Sequence, residues 1–186
     1  MNHRGTLKLE TDRLILRRLT LEDAEALFHN WASDPEVTKY LTWPTHESIK
    51  ISRNWCDYNV ISYKNNEYYN WTIVPKEFSE PIGSIAVVSF DNKVKKAEIG
   101  YCIGKAWWHQ GYTSEALAGV IRFLFSEVGF NRIEAHFDPR NPNSGKVMKK
   151  AGLKYEGIHR QSEWNNQGIC DSAVYALLAN EYEERP

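Results

Sequence analysis

The sequence predicts a single α+β domain, residues 1–186, whose mixed sheet is mostly antiparallel, with about six to seven strands and about four helices. Three observations support this fold class. The 186 residues suit one ordinary domain, and no repeat or Gly/Ser-rich linker divides them. Strand-like and helix-like segments follow one another in the order β, α, α, β, β, β, α, β, α, β, β. These elements are expected to share one core.

The N-terminal segment is expected to hold strand-like stretches, over residues 6–19, followed by a helix. That helix would begin at Thr20, because Asp23 stands three residues later, as in a capping box. It would end at Asp34-Pro35, since the residue before a proline disfavours the helical conformation.

A second helix is expected over residues 45–62, where Trp55, Cys56 and Val60 recur with loose helical spacing. Polar turns then separate three β-rich runs, which predicts an antiparallel meander. The three runs are residues 69–74, 82–90 and 97–103.

The clearest helix begins near Thr113, because apolar residues from there on follow the i, i+4, i+8 rows of an amphipathic helix. Gly129 is expected to stop it. The remaining predicted elements are a strand over residues 132–137, a short helix over 143–151, and two last strands over 154–162 and 168–177.

Composition excludes several classes of function. Lys plus Arg (23) nearly cancels Asp plus Glu (24), so no overall field would draw the chain directly onto nucleic acid or a lipid surface. No run of 18 apolar residues and no basic-then-apolar leader is present, so a cytoplasmic protein without a membrane partner is expected. Three cysteines without CxxC spacing suggest neither disulfides nor a metal site.

The loop between the strand at 97–103 and the helix from Thr113 is a candidate anion site. Free backbone N–H groups and the positive end of a helix dipole meet there. Gly111 permits a close backbone approach, and consecutive amides can hold diphosphate oxygens. Neither GxxxxGK[ST] nor GxGxxG is present. Alone, one glycine before a helix is also an everyday turn.

A second segment makes the assignment more specific. Residues 141–153, read together with residues 97–101 and 108–116, resemble the GNAT N-acyltransferase superfamily, close to its ribosomal-protein N-terminal (alanine/serine) acetyltransferase branch. The resemblance covers nearly the whole chain, and the order of elements agrees with it. It implies a GNAT-like fold and acetyl-CoA as acyl donor, with no metal.

The resemblance also implies which residues hold the coenzyme. The backbone of one strand would pair with the pantetheine arm, amides of the loop would hold the diphosphate, and an asparagine side chain would bind pantetheine. The predicted coenzyme-binding residues are Tyr101, Cys102, Ile103, Trp108, His109, Gln110, Gly111, Tyr112, Thr113, Ser114, Asn141 and Ser144.

Two positions depart from the family pattern. Trp108 stands where the superfamily usually has Gln or Arg, which leaves the backbone amides untouched. Met148 stands where many members place the tyrosine that protonates the departing thiolate, and a thioether has no proton to donate. The resemblance therefore points to Ser144 as the donor to the thiolate.

Acyl transfer to an amine needs a base, an oxyanion donor and a proton for the thiolate. Glu98 is the candidate base, acting through a water, although it also suits a solvated strand position. Because successive side chains of a strand point to opposite faces of the sheet, Ile99 and Tyr101 are expected on one face and Glu98 and Cys102 on the other. The oxyanion donor would be a backbone N–H near Cys102 or Ile103. Cys102 itself is expected to be a buried thiol.

The acceptor is expected to be a primary amine, first a protein or peptide N-terminus. Trp31, Trp43, Trp55 and residues 161–167 are candidates for its pocket wall. Alternatives are a small-molecule amine, such as a polyamine or antibiotic, and a non-catalytic CoA-binding sensor. The chain would be a monomer or a homodimer, depending on whether the last strand closes the sheet or pairs with another copy.

Overall fold

A computed structural model of the chain describes residues 1–182 and shows one mixed sheet. The eight strands are β1 (Leu9–Glu10), β2 (Leu14–Arg17), β3 (Asn70–Pro75), β4 (Gly83–Asp91), β5 (Lys96–Ile103), β6 (Arg132–Phe137), β7 (Lys154–Asn165) and β8 (Gly168–Leu178). The five α-helices are α1 (Ala24–Leu27), α2 (Pro35–Thr38), α3 (Ile49–Ser62), α4 (Tyr112–Phe123) and α5 (Pro142–Lys150). The strand order is β1-β2-β3-β4-β5-β6-β8-β7. The α+β class is confirmed, with more strands and helices than expected.

The additional strand comes from the N-terminal segment. β1 and β2 pair antiparallel, with Leu9 opposite Leu16, and the turn between them is closed by a bond from the Thr11 amide to the Leu14 carbonyl (3.0 Å). β2 then pairs with β3. The expected strand-like segment is therefore a short hairpin at the sheet edge.

The additional helix, α2, begins at Pro35, a residue that was expected only to end the preceding helix. The start of the first helix is confirmed, because Asp23 Oδ2 accepts from the Thr20 amide (2.8 Å). Its last turn is a π-helical turn, Phe28–Ala32. Asp34 then caps α2 by accepting from the Glu36 amide (2.8 Å). Proline suits a first helical turn because its missing N–H would have no partner there.

The second long helix, α3, starts at Ile49 rather than at residue 45, and the spacing of its apolar residues left its buried face open. Cys56 is buried, but Trp55 and Val60 are about 40% exposed. The inward-facing residues beside Cys56 are Ser52 and Asn59. These polar side chains are hydrogen-bonded inside the protein, to His46 and Tyr68 among others, so hydrophobic spacing could not identify the face.

The central strands separate in the middle of the sheet. β5 and β6 are parallel, but they pair only over residues 96–98 and 132–134. Beyond Glu98 one edge of β5 has no strand beside it, while its other edge stays paired with β4 as far as Ile103. The two strands therefore diverge and leave main-chain groups of β5 facing an opening.

The two faces of β5 contact different cores. Ile99 belongs to the larger core, in which α4 packs on the sheet, and Tyr101 packs against that core. Cys102 belongs to a smaller core with Leu27 and Trp31 on the opposite face. The alternation predicted for this strand is thus confirmed: Glu98 faces away from α4.

Helix α4 continues through a π-helical turn, Leu124–Val128, and ends at Gly129, whose φ is 87°. Strand β8 pairs with both β6 and β7, so it lies inside the sheet and β7 forms the edge. Strand β7 extends to Asn165, beyond the predicted end. Within residues 1–182, no helix has the length and apolar character needed to cross a membrane.

Candidate active site

A cleft of about 1130 Å³ opens where β5 and β6 diverge. Most of the predicted site residues lie in its wall. These are Glu98, Tyr101, Cys102, Ile103, Trp108, His109, Gly111, Thr113, Ser114, Asn141 and Ser144. Two predicted coenzyme contacts do not line it: the Gln110 side chain donates to the Ala106 carbonyl (2.9 Å), and Tyr112 is a buried core residue.

The loop before α4 is held in an unusual backbone conformation. His109 and Gly111 both have left-handed φ angles, 62° and 82°. Such angles cost a non-glycine residue energy and cluster at functional sites. The indole Nε1 of Trp108 donates to the Ile103 carbonyl (2.9 Å), which ties the loop to the end of β5.

The start of α4 presents unpaired amides to the cleft. The Glu115 amide donates to the carbonyl of the N-cap residue, Gly111 (3.1 Å). The preceding amides of the first turn therefore lack intrahelical acceptors, as at any helix start. They coincide with the positive end of the helix dipole. The arrangement suits an anion such as a diphosphate.

Arg13 braces this loop from 102 residues away, a contact that was not predicted. Its guanidinium bonds to Glu115 (2.7 Å), donates to the Gln110 carbonyl (3.1 Å) and lies 4.6 Å from the Tyr112 ring centre. Burial alone would raise the pKa of Glu115, but hydrogen bonds from Thr11 and Arg13 outweigh burial and lower it. Glu115 therefore stays charged beneath the loop.

Two cationic side chains lie next to Gly111. A β-carbon at Gly111 would sit 3.3 Å from Lys150 Nζ and 3.4 Å from Arg13 Nη2. The diphosphate site predicted from the sequence comprised only backbone amides. The structure adds positive side-chain charge beside them, which also favours an anion.

Ser144 lies at the start of α5 and contacts a phenol from β5. The Tyr101 hydroxyl donates to the Ser144 carbonyl (3.0 Å) and is 3.0 Å from Ser144 Oγ. Burial raises the pKa of Tyr101 well above its ordinary value, so the phenol stays protonated. Met148 is 1% exposed and packs in the α4 core, outside the cleft wall.

Asn141 lines the cleft and caps α5 through its backbone. Its carbonyl accepts from the Ser144 amide (3.1 Å), and its own amide donates to the Asp138 carbonyl (2.7 Å). The Asp138 carboxylate is fixed in turn by Arg140 and by the side chain of the buried Asn165, whose Nδ2 donates to it (2.9 Å). The loop between β6 and α5 is therefore held rigidly beside the opening.

Glu98 approaches the cleft from the face opposite Ser144. A β-bulge in β4 at Val87/Ser89 places Ser89 opposite Glu98, and the Ser89 hydroxyl donates to Glu98 Oε2 (2.9 Å). The Glu98 side chain is 28% exposed, and its Oε1 lies 3.8 Å from His136 Nδ1. Glu98 thus presents its carboxyl group at the cleft wall.

Aromatic side chains form the wall beyond Glu98. Trp43 and Trp55 lie there, as predicted, but Trp31 does not, because the π-helical turn that holds it packs into the smaller core. The other aromatic residues of this wall are Tyr40, Tyr58, Tyr68 and Trp164. The open, aromatic surface suits a molecule larger than a simple amine.

The turn between β7 and β8 is fixed onto this wall. Asn166 Nδ2 donates to the Thr38 and Trp43 carbonyls (2.9 and 2.8 Å), and the Asn166 amide donates to the Leu41 carbonyl (3.1 Å). These bonds join segments more than 120 residues apart. The turn therefore closes one end of the cleft, as expected for part of residues 161–167.

Comparison with known proteins gives one consistent family. Residues 13–154 match a family model described as an acetyltransferase (GNAT) domain. An uncharacterized N-acetyltransferase, p20, from Bacillus licheniformis is 35% identical over 175 residues, covering 94% of this chain and 97% of its own length. A ribosomal protein uS5-alanine N-acetyltransferase from Escherichia coli is 29% identical over 159 residues, covering 81% of this chain and 80% of its own.

The fold is also found among solved structures. The crystal structure of a GNAT-family acetyltransferase from Bacillus anthracis superimposes with a TM-score of 0.82. The two sequences are 26% identical, and the match covers 94% of this chain and 100% of the other. The overall fold therefore belongs to a known architecture.

Proposed function

The chain belongs to the GNAT acetyltransferase family, and we propose that it transfers the acetyl group of acetyl-CoA to the N-terminal amine of a protein or peptide. Acetyl-CoA is the co-substrate of GNAT N-acetyltransferases, and this chain is one of them. The observation that carries the proposal is the divergence of β5 from β6, with the start of α4 and Ser144 on one side of the opening and Glu98 on the other.

The coenzyme would lie across the start of α4. Amides from His109 to Ser114 would hold its diphosphate, with Arg13 and Lys150 supplying positive charge beside Gly111. The pantetheine arm would pair with the free edge of β5 at Tyr101 and Cys102, replacing the strand that has diverged. This arrangement would bring the thioester to the opening, between Glu98 and Ser144.

Glu98 is proposed to remove a proton from the attacking amine through a water molecule. It lies on the face of the sheet that also carries the aromatic wall, so an acceptor resting on that wall would present its amine to Glu98. A backbone N–H of β5 near Cys102 would donate to the carbonyl oxygen as it becomes an oxyanion. Holding amine and thioester together would supply about 7–11 kcal/mol of the rate enhancement.

Ser144 is proposed to donate a hydrogen bond to the departing thiolate. Its hydroxyl stands at the cleft, whereas Met148 is buried and has no proton to give. The Tyr101 phenol, 3.0 Å from Ser144 Oγ, fixes the serine and stays neutral. The pair would therefore take the place of the tyrosine that many family members use.

The acceptor is proposed to be a peptide rather than a polycationic amine. A polyamine would be bound best by clustered, unpaired carboxylates, but two of the five acidic residues of the cleft wall are already paired, Glu36 with Lys105 and Asp138 with Arg140. The wall is instead aromatic and open, which suits an extended backbone. The uS5-alanine N-acetyltransferase among the relatives acts on an alanine of a ribosomal protein, as its name states, and this also favours a peptide.

The proposal is tested by amine-dependent release of CoA from acetyl-CoA with a panel of acceptors. The panel holds peptides with different N-terminal residues, spermidine and an aminoglycoside. We expect peptide acceptors to give the highest kcat/KM. Turnover of spermidine or the aminoglycoside alone would refute the proposed acceptor class, and no amine-dependent release with any acceptor would favour a CoA sensor.

Two variants test the residue roles with the best acceptor. Glu98→Gln should lower kcat by about 100-fold or more, and Ser144→Ala by about tenfold, with acetyl-CoA affinity unchanged. Glu25→Gln, which removes an exposed carboxylate outside the cleft wall, is the control and should keep kcat. Wild-type kcat and pH profile in both site variants would show the roles to be wrong.

A further inference from the structure

A second cavity of about 440 Å³ lies behind Glu98, on the same face of the sheet. Its wall is formed by β5, β6, β7 and β8, and it holds charged residues from three of these strands. His136 on β6 belongs to the wall of this cavity and also to the wall of the reaction cleft. One imidazole therefore separates the two spaces.

His136 is unusual among the buried polar groups. Among the residues that the structure describes, three buried side-chain polar atoms have no hydrogen-bond partner, and two of them are His136 Nδ1 and Nε2. The third is Ser172 Oγ, on the neighbouring β8. Buried polar atoms are almost always paired, so such exceptions call for a functional explanation.

The ring of His136 lies between two carboxylates. Its Nδ1 is 3.8 Å from Glu98 Oε1, and its Nε2 is 3.5 Å from Glu134 Oε1. Glu134 is also held by Lys96 (2.7 Å) and Arg132 (2.9 Å). Burial alone would raise the pKa of Glu134, but these two cations outweigh it and lower the pKa. Glu134 is therefore a fixed negative charge that can orient and stabilise a charged imidazole.

The stoichiometry of acetyl transfer requires a route for one proton. An ammonium acceptor reacts as R–NH₃⁺ + acetyl-S-CoA → R–NH–acetyl + CoA-SH + H⁺. The nitrogen loses two protons, of which one ends on the thiol and one must leave the site. Glu98 can take that proton, but it must pass it on before the next turnover.

We propose that His136 receives this proton from Glu98 and releases it into the second cavity. In the first transfer the protonated Glu98 returns to a carboxylate as imidazole becomes imidazolium; in the second the imidazolium loses the proton to solvent. Imidazole suits this role because its charge changes near neutral pH. The inference rests on the proposed role of Glu98 as base.

The second cavity has an outlet. The exposed His159 of β7 lies in its wall, with its ring centre 6.4 Å from that of His136. Other charged groups around the ring are already paired with one another: Glu134 with Lys96 and Arg132, and Arg132 with Glu156 (2.6 Å). The charged and titratable groups that face or surround His136 are Lys96, Glu98, Arg132, Glu134, Glu156 and His159.

The test compares the wild type, His136→Gln and the control His29→Gln, which changes an exposed histidine far along the chain. Two acceptors are used: the amine that the wild type acetylates best in the panel, and a matched hydrazide, whose amino group is already neutral at neutral pH. For each, kcat/KM is measured from acid to alkaline pH. Acetyl-CoA affinity and thermal unfolding are measured for every variant.

We expect His136→Gln to lower kcat/KM for the ammonium acceptor by about tenfold at slightly acid pH. The loss should shrink as the acceptor deprotonates in solution at alkaline pH, and it should be absent for the hydrazide. In His136→Ala, added imidazole should restore part of the rate. A merely structural role would instead lower the rate for both acceptors equally at every pH, and that result would overturn the proposal.

Failure of the proposed proton relay, from Glu98 through His136 to the second cavity, is distinguishable from failure of Glu98 as the base. If Glu98→Gln loses activity while His136→Gln keeps the wild-type pH profile, Glu98 remains the base and the relay is refuted. If Glu98→Gln keeps wild-type activity, the proposed base and the relay are both refuted. Because the acceptor is whichever amine the wild type acetylates, the test does not depend on that amine being a peptide.

Discussion

Gly111 offers the sharpest test of how the coenzyme is held, because the chain contains a matched control. Gly111 has φ 82° and Gly129 has φ 87°, so alanine would adopt the same strained left-handed conformation at either position. That conformation costs a residue with a β-carbon about 1–2 kcal/mol. Each kcal/mol lowers Tm by about 2–4 °C in a domain of this size.

The two positions differ in what an added β-carbon would meet. At Gly129 nothing lies within 4 Å, whereas at Gly111 the ends of Lys150 and Arg13 lie at 3.3 and 3.4 Å. Those side chains are flexible and can move away, so both variants should lose about the same stability. Only Gly111→Ala displaces the two cations and alters the amides before α4. Its Kd for acetyl-CoA should rise at least about tenfold, or about 1.4 kcal/mol.

The assay is calorimetric titration of acetyl-CoA into the wild type, Gly111→Ala and Gly129→Ala, with thermal unfolding of all three in the absence of the coenzyme. Gly129→Ala should bind acetyl-CoA as the wild type does, despite a lower Tm. Equal affinity of the two alanine variants would refute the placement of the diphosphate at this loop. A wild-type Tm for Gly129→Ala would refute the strain argument.

Three further predictions concern groups whose environment the structure defines. Arg13→Met removes the hydrogen bond and ion pair to Glu115 and should raise the Kd for acetyl-CoA in the same titration, by no more than about fivefold. An unchanged Kd would contradict the bracing role of Arg13. Burial alone would raise the pKa of Asp138, but hydrogen bonds from Arg140 outweigh burial and lower it to about 2. The charged carboxylate therefore stabilises the fold at any pH above the ordinary pKa of an aspartate. This contribution is lost as the pH falls toward 2. Asp138→Asn should therefore lower stability by roughly 1–2 kcal/mol at pH 7, with a smaller difference near pH 3 in denaturant titrations; a constant difference would argue against the charge. Burial is the main cause that raises the pKa of Cys56 to about 12, so iodoacetamide should leave this thiol unmodified in the folded protein at pH 8 and alkylate it after unfolding, as peptide mass spectrometry would show.

Local pattern was enough to predict the two elements proposed to hold the coenzyme. The helical rows from Thr113 to Gly129 and the alternation along β5 are periodic signals, and each was confirmed. Alternation alone also indicated that Glu98 faces away from α4. The roles assigned to Glu98 and Ser144 stay predictions, because geometry brings both to the cleft without testing what they do.

Other features of the site depend on distant parts of the chain, which local pattern does not encode. The divergence of β5 from β6 is set by a pairing register of three residues. Arg13 reaches the loop only because the N-terminal hairpin lies beside α4. His136 stands in an ordinary predicted strand, and its position next to Glu98 follows from that register.

One error came from treating the first helix as regular. Trp31 was expected in the acceptor wall, but a π-helical turn widens the helix there and turns the ring into the smaller core. In α3 the inward face carries Ser52 and Asn59, so hydrogen bonds rather than apolar spacing define it. Trp55 is left about 40% exposed and free to form the cleft wall.

We propose that this GNAT enzyme acetylates a peptide N-terminus by direct attack on acetyl-CoA. The most direct measurement is one reaction with isotopically labelled acetyl-CoA and three competing acceptors: a peptide that has a free N-terminal amine and an internal lysine, spermidine, and an aminoglycoside. Fragment mass spectrometry then locates the label. We predict one labelled acetyl group on the N-terminal nitrogen of the peptide. Label found only on the lysine side chain, on spermidine or on the aminoglycoside would contradict the account.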